Sequence, residues 1–381
     1  MRITEVEALL LRQPGLDASV ADGSQDALVI RVHTDEGIVG VGEVDSLPSV
    51  VKAIIDAPPS HSIASGLAAL LVGEDPLEVG RLWDRMFRGS LYFGRRGAVL
   101  HAISGIDIAL WDICGKAAGR PVASLLGGAR RRRVRAYAST LMPDTPEEVR
   151  RVVSAHCEAG FTAVKLGWGP LGRSASLDVQ LVAAARAAAG DEVELMIDIG
   201  KGWSSVRDGI DRTRRFEEHR IAWLEEPFMP DDYDKYAALV EAVDVPVSAG
   251  EEETTLWDFE RLIDRGGVEI VQPDVTRAGG ISECMRIAAL AERRGRRFIP
   301  HAWSTGIIKA ATLQVLGASA QAEWFEYCVQ ETTLNRTLVA ERFPLRDGYV
   351  EIPSAPGLGI ELDERRLGEC LIGSSGELGG S

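Results

Sequence analysis

From Arg133 onward the chain repeats one unit. A short run of β-branched and apolar residues is followed by a helix-forming stretch. The runs are Val134–Thr140, Ala163–Gly167, Glu194–Gly200, Ile221–Pro227, Val245–Glu251, Glu269–Val275, Arg297–Trp303 and Ala322–Cys328. The segments between them, such as Leu181–Ala189 and Ile281–Arg294, are rich in Ala, Leu and Arg, which favour helix. Strands that alternate with helices pair in parallel through crossovers, and eight such units predict a closed, TIM-like but modified (β/α) barrel in the α/β class. An open doubly wound sheet is the alternative, but no Gly-rich dinucleotide turn follows Val134–Thr140.

A barrel gathers its chemistry at the C-terminal ends of its strands. The last polar residue of each run is then informative. The second to eighth runs supply Lys165, Asp198, Glu225, Glu251, Asp274, His301 and Glu326, and from Asp198 onward these recur every 23 to 27 residues. One polar group per unit at near-constant spacing puts them all on one rim. Asp198, Glu225 and Glu251 come from successive strands, and unpaired they would raise one another's pKa. A divalent cation relieves that repulsion. An all-oxygen set without Cys or His suits a hard ion, and Mg2+ takes a few carboxylates plus other oxygens. Opposite the acids stand Lys165 and His301. Asp274, one strand before the histidine, can fix its tautomer. Lys165 is one of only six lysines, and among the histidines at 33, 61, 101, 156, 219 and 301 only His301 closes a barrel run.

The first third reads as α+β. Ala27–His33 and Ile38–Val44 flank Thr34-Asp35-Glu36-Gly37 as a hairpin, with residues 3–11 as a third strand. Asp75-Pro76 is expected to open a helix through Trp83 and Phe87, and Ala98–Ala118 a longer one closed by Gly119-Arg120-Pro121. The expected organisation is a cap over 1–128, a barrel over 129–341, and a segment over 342–381 that packs back on the cap and ends in a flexible Gly/Ser tail from Gly373. The formal charge is −15 and argues against nucleic acid or anionic membrane as a partner. The run Arg130–Arg133 lies opposite the active rim and reads as a solvated or inter-subunit surface. Five scattered cysteines without a Cys-x-x-Cys pair point to free thiols in the cytoplasm. Acids interrupt the N-terminus too early for a signal peptide, and no uncharged apolar run reaches the ~18 residues of a membrane span.

The ordered set Val164-Lys165-Leu166, Ile197-Asp198, Trp223-Leu224-Glu225-Glu226-Pro227, Gly250-Glu251, Gln272-Pro273-Asp274, Pro300-His301 and Trp324-Phe325-Glu326-Tyr327 resembles the enolase superfamily, mandelate racemase subgroup. The helix Ser104–Asp112 resembles that family's cap helix. The resemblance implies that Asp198, Glu225 and Glu251 bind Mg2+, that Asp274 and His301 form the base dyad, and that Glu326 hydrogen-bonds an enolate oxygen. It also implies a small-molecule carboxylate as substrate and an even-numbered homo-oligomer. Such a site stabilises the second negative charge that appears when the proton α to a carboxylate leaves.

Family racemases carry a second Lys two residues after the first; here that position is Gly167. Inversion needs a base on each face. The expected reaction is therefore a one-base β-elimination. His301 takes the α-proton, the β-hydroxyl leaves, and the enol becomes a 2-keto-3-deoxy acid. That is an acid-sugar dehydratase acting on an aldonate or aldarate. The alternatives are a racemase or epimerase that uses Lys165 or Lys201 as the second base, and a metal-binding barrel without turnover. Substrate contacts are expected from the loop over residues 14–26, the segment after Asp45, Arg95 and Arg96 as a clamp for a distal carboxylate, and Tyr137, Ser139, Trp303 and Lys201 at the pocket wall.

Overall fold

A computed structural model describes residues 1–372; the tail expected from Gly373 lies outside them. The cap begins with an antiparallel sheet of β1 (Ile3–Arg12), β2 (Asp26–Thr34) and β3 (Val39–Val44). Four helices follow: α1 (Pro48–Asp56), α2 (Leu67–Leu71), α3 (Val79–Ser90) and α4 (Ala98–Ala118). The helix expected at Asp75-Pro76 starts at Val79, because Asp75 turns back to accept from Leu77 N before the helix forms. Helix α4 is apolar on nearly every side because it is covered on every side. β3 lies so close to it that a Cβ on Gly42 would sit 1.9 Å from the Gly105 carbonyl oxygen.

After a short α5 (Val122–Leu125) the barrel strands run in chain order: β4 (Arg133–Leu141), β5 (Ala163–Gly167), β6 (Glu194–Asp198), β7 (Trp223–Glu225), β8 (Val247–Ala249), β9 (Ile270–Val271), β10 (Arg297–Phe298) and β11 (Trp324–Cys328). Neighbours pair in parallel from β4 to β10, and β11 returns to pair beside β4, so the sheet curls on itself. Seven crossover helices cover it: α6 (Pro146–Glu158), α7 (Ala175–Ala189), α8 (Val206–Glu217), α9 (Tyr233–Ala242), α10 (Thr255–Asp264), α11 (Gly280–Arg293) and α12 (Gly306–Ala318). After β11 only the single turn α13 (Thr333–Thr337) follows, which is where the barrel departs from eightfold regularity. Tyr137, Met196, Trp223 and Trp324 fill the barrel axis below the mouth.

The strands end earlier than expected. Glu251, Asp274 and His301 lie two or three residues beyond β8, β9 and β10, where the backbone has left the ladder and can aim a side chain inward. The last segment joins both parts. β12 (Tyr349–Glu351) pairs antiparallel with β4, Leu358 N donates to Asp112 of α4, and Ile372 N, just past α14 (Glu364–Cys370), donates to Leu10 O of β1. Arg131 spends its guanidinium on the carbonyls of Leu316, Ser319 and Ala320, at the barrel floor.

The cap is fastened by buried polar groups. Glu43 accepts from Thr305 Oγ1 (2.7 Å) and Ile308 N (2.8 Å) at the start of α12. Asp107 accepts from Ser282 Oγ (2.6 Å) and Ser282 N (3.0 Å) at the start of α11. Trp83 Nε1 and Ser104 Oγ bond to the backbone of Gly279. Three of these contacts, to the N–H groups of Gly279, Ser282 and Ile308, use the unpaired donors that a helix start presents.

Candidate active site

Asp198, Glu225 and Glu251 converge at the mouth, with ligand oxygens within 4.8 Å of one another and all three side chains buried. Asp198 and Glu225 end neighbouring strands in register with each other. Gly250, at φ 135°, makes the turn that sets Glu251 beside them. Glu225 Oε2 accepts from Trp223 Nε1 (3.0 Å) and Gln272 Nε2 (2.9 Å), and its Oε1 accepts from Lys165. Asp198 receives only the Gly200 N–H, at 2.8 Å, among the described residues. Burial and then the Glu225 charge hold the Asp198 pKa well above the usual carboxylate range.

Across the cavity, His301 Nδ1 meets Asp274 Oδ2 at 2.6 Å. The other Asp274 oxygen accepts from Thr276 N (2.7 Å) and Thr276 Oγ1 (2.6 Å), so the carboxylate is held at both ends and the ring with it. That leaves His301 Nε2 facing the acids, 3.1 Å from Glu251 Oε2. Burial opposes the imidazolium, but Glu251, Glu326 and Asp274 outweigh it and lift the pKa to about 10. Lys165 bridges Glu225 and Glu326, the latter at 2.7 Å. Burial opposes its charge, yet those two carboxylates raise its pKa well above the ordinary value. Glu326 also accepts from Ser139 Oγ (2.7 Å) and Ala302 N (2.8 Å). As found it is an acceptor; donation to an enolate oxygen requires that it carry a proton.

The donor set fits a hard dication. Nine carboxylates surround the mouth, those of Asp22, Asp45, Asp198, Glu225, Glu226, Glu251, Glu252, Asp274 and Glu326, against four cationic groups, Lys165, Lys201, Arg277 and His301. The excess is negative and centred on oxygens, with no thiolate among them. The cluster as a whole suits a divalent ion.

A cavity of about 370 Å³ opens above these groups. Ser139, Lys165, Asp198, Glu251, His301 and Trp303 line it. Four of the expected contacts do not. Tyr137 lies in the packed layer below. Arg96 is bound to Asp258 and lies over Trp257, while Arg95 is exposed to solvent away from the cavity. Lys201, expected at the wall, instead reaches Glu252 (2.7 Å), Glu226 (3.1 Å) and Glu251 (3.6 Å) and stacks on Trp168. Those carboxylates outweigh burial and hold it protonated. Trp168, Lys201 and Glu226 all have positive φ, a cluster of strained backbone around the metal-side wall.

The structure adds residues that the strand-end rule misses. Arg277 lies three residues past Asp274 and enters the cavity, where it meets Asp45 of the cap at 2.6 Å. Asp22 and Asp45 come from cap loops, where no periodicity marks them. Asp22 accepts from Trp303 Nε1 at 3.1 Å and so ties the loop over residues 14–26 to the rim.

Residues 3–127 match the family described as mandelate racemase / muconate lactonizing enzyme, N-terminal domain, and residues 146–366 match the enolase C-terminal domain-like family. D-galactarolactone cycloisomerase of Agrobacterium fabrum is 33% identical over 97% of this chain and 98% of its own. D-galactonate dehydratase of Verminephrobacter eiseniae is 36% identical over 88% of this chain and 89% of its own. The crystal structure of 3,6-anhydro-D-galactonate cycloisomerase from Zobellia galactanivorans has a TM-score of 0.89 at 31% identity, covering 98% of this chain and 100% of that one. The chain belongs to the enolase superfamily, in its mandelate racemase subgroup.

Proposed function

We propose that this chain is a Mg2+-dependent acid-sugar dehydratase, a hydro-lyase that removes the proton α to a carboxylate and expels the β-oxygen. The observation that carries the reading is a single oriented base facing three crowded carboxylates. His301, held by Asp274 through Nδ1, presents Nε2 to the acids, where the Glu251 charge favours its protonated form; a dication held by Asp198, Glu225 and Glu251 would offset that charge and leave Nε2 able to take a proton. Among the described residues, the opposite face offers no counterpart. A Cβ on Gly167 would lie 2.7 Å from Asp198 Cβ, so a longer side chain there would displace a candidate metal ligand. Lys165 and Lys201 are each paired with carboxylates and stay protonated, which disfavours a two-base racemase.

Asp198, Glu225 and Glu251 would hold the metal, which supplies Lewis-acid stabilisation of negative charge on the substrate carboxylate. Lys165, kept cationic by Glu225 and Glu326, stabilises the same charge from the side. His301 Nε2 accepts the α-proton. As the C–O bond at the β-carbon breaks, the electron pair of the former C–H bond becomes the C=C bond. The imidazolium proton leaves with the hydroxide as water, and the enol tautomerises to a 2-keto-3-deoxy acid.

Relatives carry two kinds of name, dehydratase and cycloisomerase. The same proton abstraction serves both outcomes. A free β-hydroxyl leaves as water, whereas a β-oxygen tethered in a ring opens the ring with no loss of mass. The near-full-length match to a cycloisomerase supports this second reading. The test is a panel of acid sugars and their ring forms incubated with Mg2+. Semicarbazide traps a 2-keto product, and the product mass tells water loss from ring opening. An epimer formed without a keto product would replace the reading with a racemase.

A further inference from the structure

We infer that the cavity takes acid sugars with one carboxylate, aldonates or their ring forms, and rejects aldarates; the inference rests on the elimination reading above. With the reacting carboxylate at Lys165 and the α-carbon at His301, the rest of the substrate must run toward the cap side of the cavity. The charged groups lining that part are Asp22, Asp45, Glu252 and Arg277.

Arg277 is the one cation among them, and it is already matched. Nη2 binds Asp45 Oδ2 at 2.6 Å, Nε binds the Asp45 carbonyl at 3.1 Å, and Nη1 meets the Glu251 carbonyl at 3.4 Å and Glu251 Oε1 at 3.9 Å. Arg95 and Arg96, the clamp that a second carboxylate would want, lie outside the cavity.

The acids, by contrast, keep free acceptors. Asp22 Oδ1 takes Trp303 Nε1, Ser24 N and Ser24 Oγ, while Oδ2 accepts from no described residue. Asp45 gives Oδ2 to Arg277 and leaves Oδ1 without a donor among the described residues. Two open carboxylate oxygens match the hydroxyl donors of a sugar chain. A second carboxylate has no donor to offer them and meets like charge in a largely desolvated space. Asp22 and Asp45 are thus specificity-determining residues, and Asp45 acts doubly because it also occupies Arg277.

The experiment uses the full chain with Mg2+ and pairs of five- and six-carbon aldonates and aldarates of matching configuration, such as D-gluconate with D-glucarate. Deuterium incorporation at the α-carbon and 2-keto product are read for each. The expected result is turnover on an aldonate with kcat/KM about tenfold or more above that of its paired aldarate. An aldarate turned over as well as its aldonate overturns this inference and leaves the elimination reading intact. Exchange with no member of either series, nor with their ring forms, overturns that reading and this inference with it. In Asp45→Ala, which removes the carboxylate that Arg277 Nη2 is spent on, the aldonate preference should fall about fivefold or more through a lower aldarate KM. Asp22→Asn keeps an oxygen for Trp303 and Ser24 and should also narrow the preference. An unchanged ratio in both folded variants overturns the assignment.

Discussion

Two sets of buried carboxylates in this molecule have different surroundings. Along the seam between cap and barrel, Glu43 and Asp107 each receive N–H and O–H donors from the start of a barrel helix. At the mouth, Asp198, Glu225 and Glu251 face one another within 4.8 Å, and the acids around them outnumber the cations. The seam acids are complete with what the fold supplies, because helix starts offer both hydrogen bonds and positive dipole. The mouth acids are not, and their missing charge has to come from a ligand. The donors around a buried acid, more than its burial, separate a fastening from a site.

The sharpest way to break this contrast is at the mouth. His301→Asn should lower both turnover and α-proton exchange by about a thousandfold or more, as expected for loss of the sole base. Exchange that survives, followed by proton NMR in deuterated buffer, would reveal another base. A cut at the seam should act on stability instead. Asp107→Ala leaves Ser282 N and Oγ unpaired and should cost about 2–3 kcal/mol in urea unfolding, with Mg2+ affinity unchanged. Gly167→Ala tests how tightly the mouth is packed. Its Cβ would press on Asp198, and Mg2+ should bind about tenfold more weakly by calorimetric titration; unaltered affinity would show that the wall can yield.

A further effect is in pH. Burial lifts both Glu43 and Asp107 to about 7 despite their donors. Unfolded carboxylates give up the same protons near pH 4, so between about pH 4 and 7 the folded chain holds more protons. The contribution of these groups to stability is fully present below that window and is lost as the pH rises through 7, by at most about 1.4 kcal/mol per pH unit for each group. Glu43→Gln should therefore unfold with a weaker dependence on pH across this range than the parent chain, in urea melts at matched pH values.

The same contrast separates what was legible in the sequence. The mouth was readable because each barrel unit contributes one polar residue at a fixed phase, and Lys165, Asp198, Glu225, Glu251, Asp274, His301 and Glu326 all meet there. Strand ends were read too long because residues such as Glu251 and His301 leave the ladder in order to point inward. The cap's share was legible only as a segment: the loop over residues 14–26 was expected at the mouth and reaches it, but no single residue in it stood out. Asp22 and Asp45 reach the cavity through loop geometry and have no periodic signature. Arg96 stood beside Arg95 as a possible clamp, and only the fold shows that Asp258 claims it.

Titration of metal-depleted protein with Mg2+, followed by calorimetry and by the thermal midpoint, addresses the difference between the two sets of acids most directly. The expected result is one ion per chain with a rise in midpoint, lost in Glu225→Gln and retained in Glu43→Gln. Saturation with no heat and no shift in the parent chain, or equal binding by both variants, would contradict the assignment of the mouth as the metal centre.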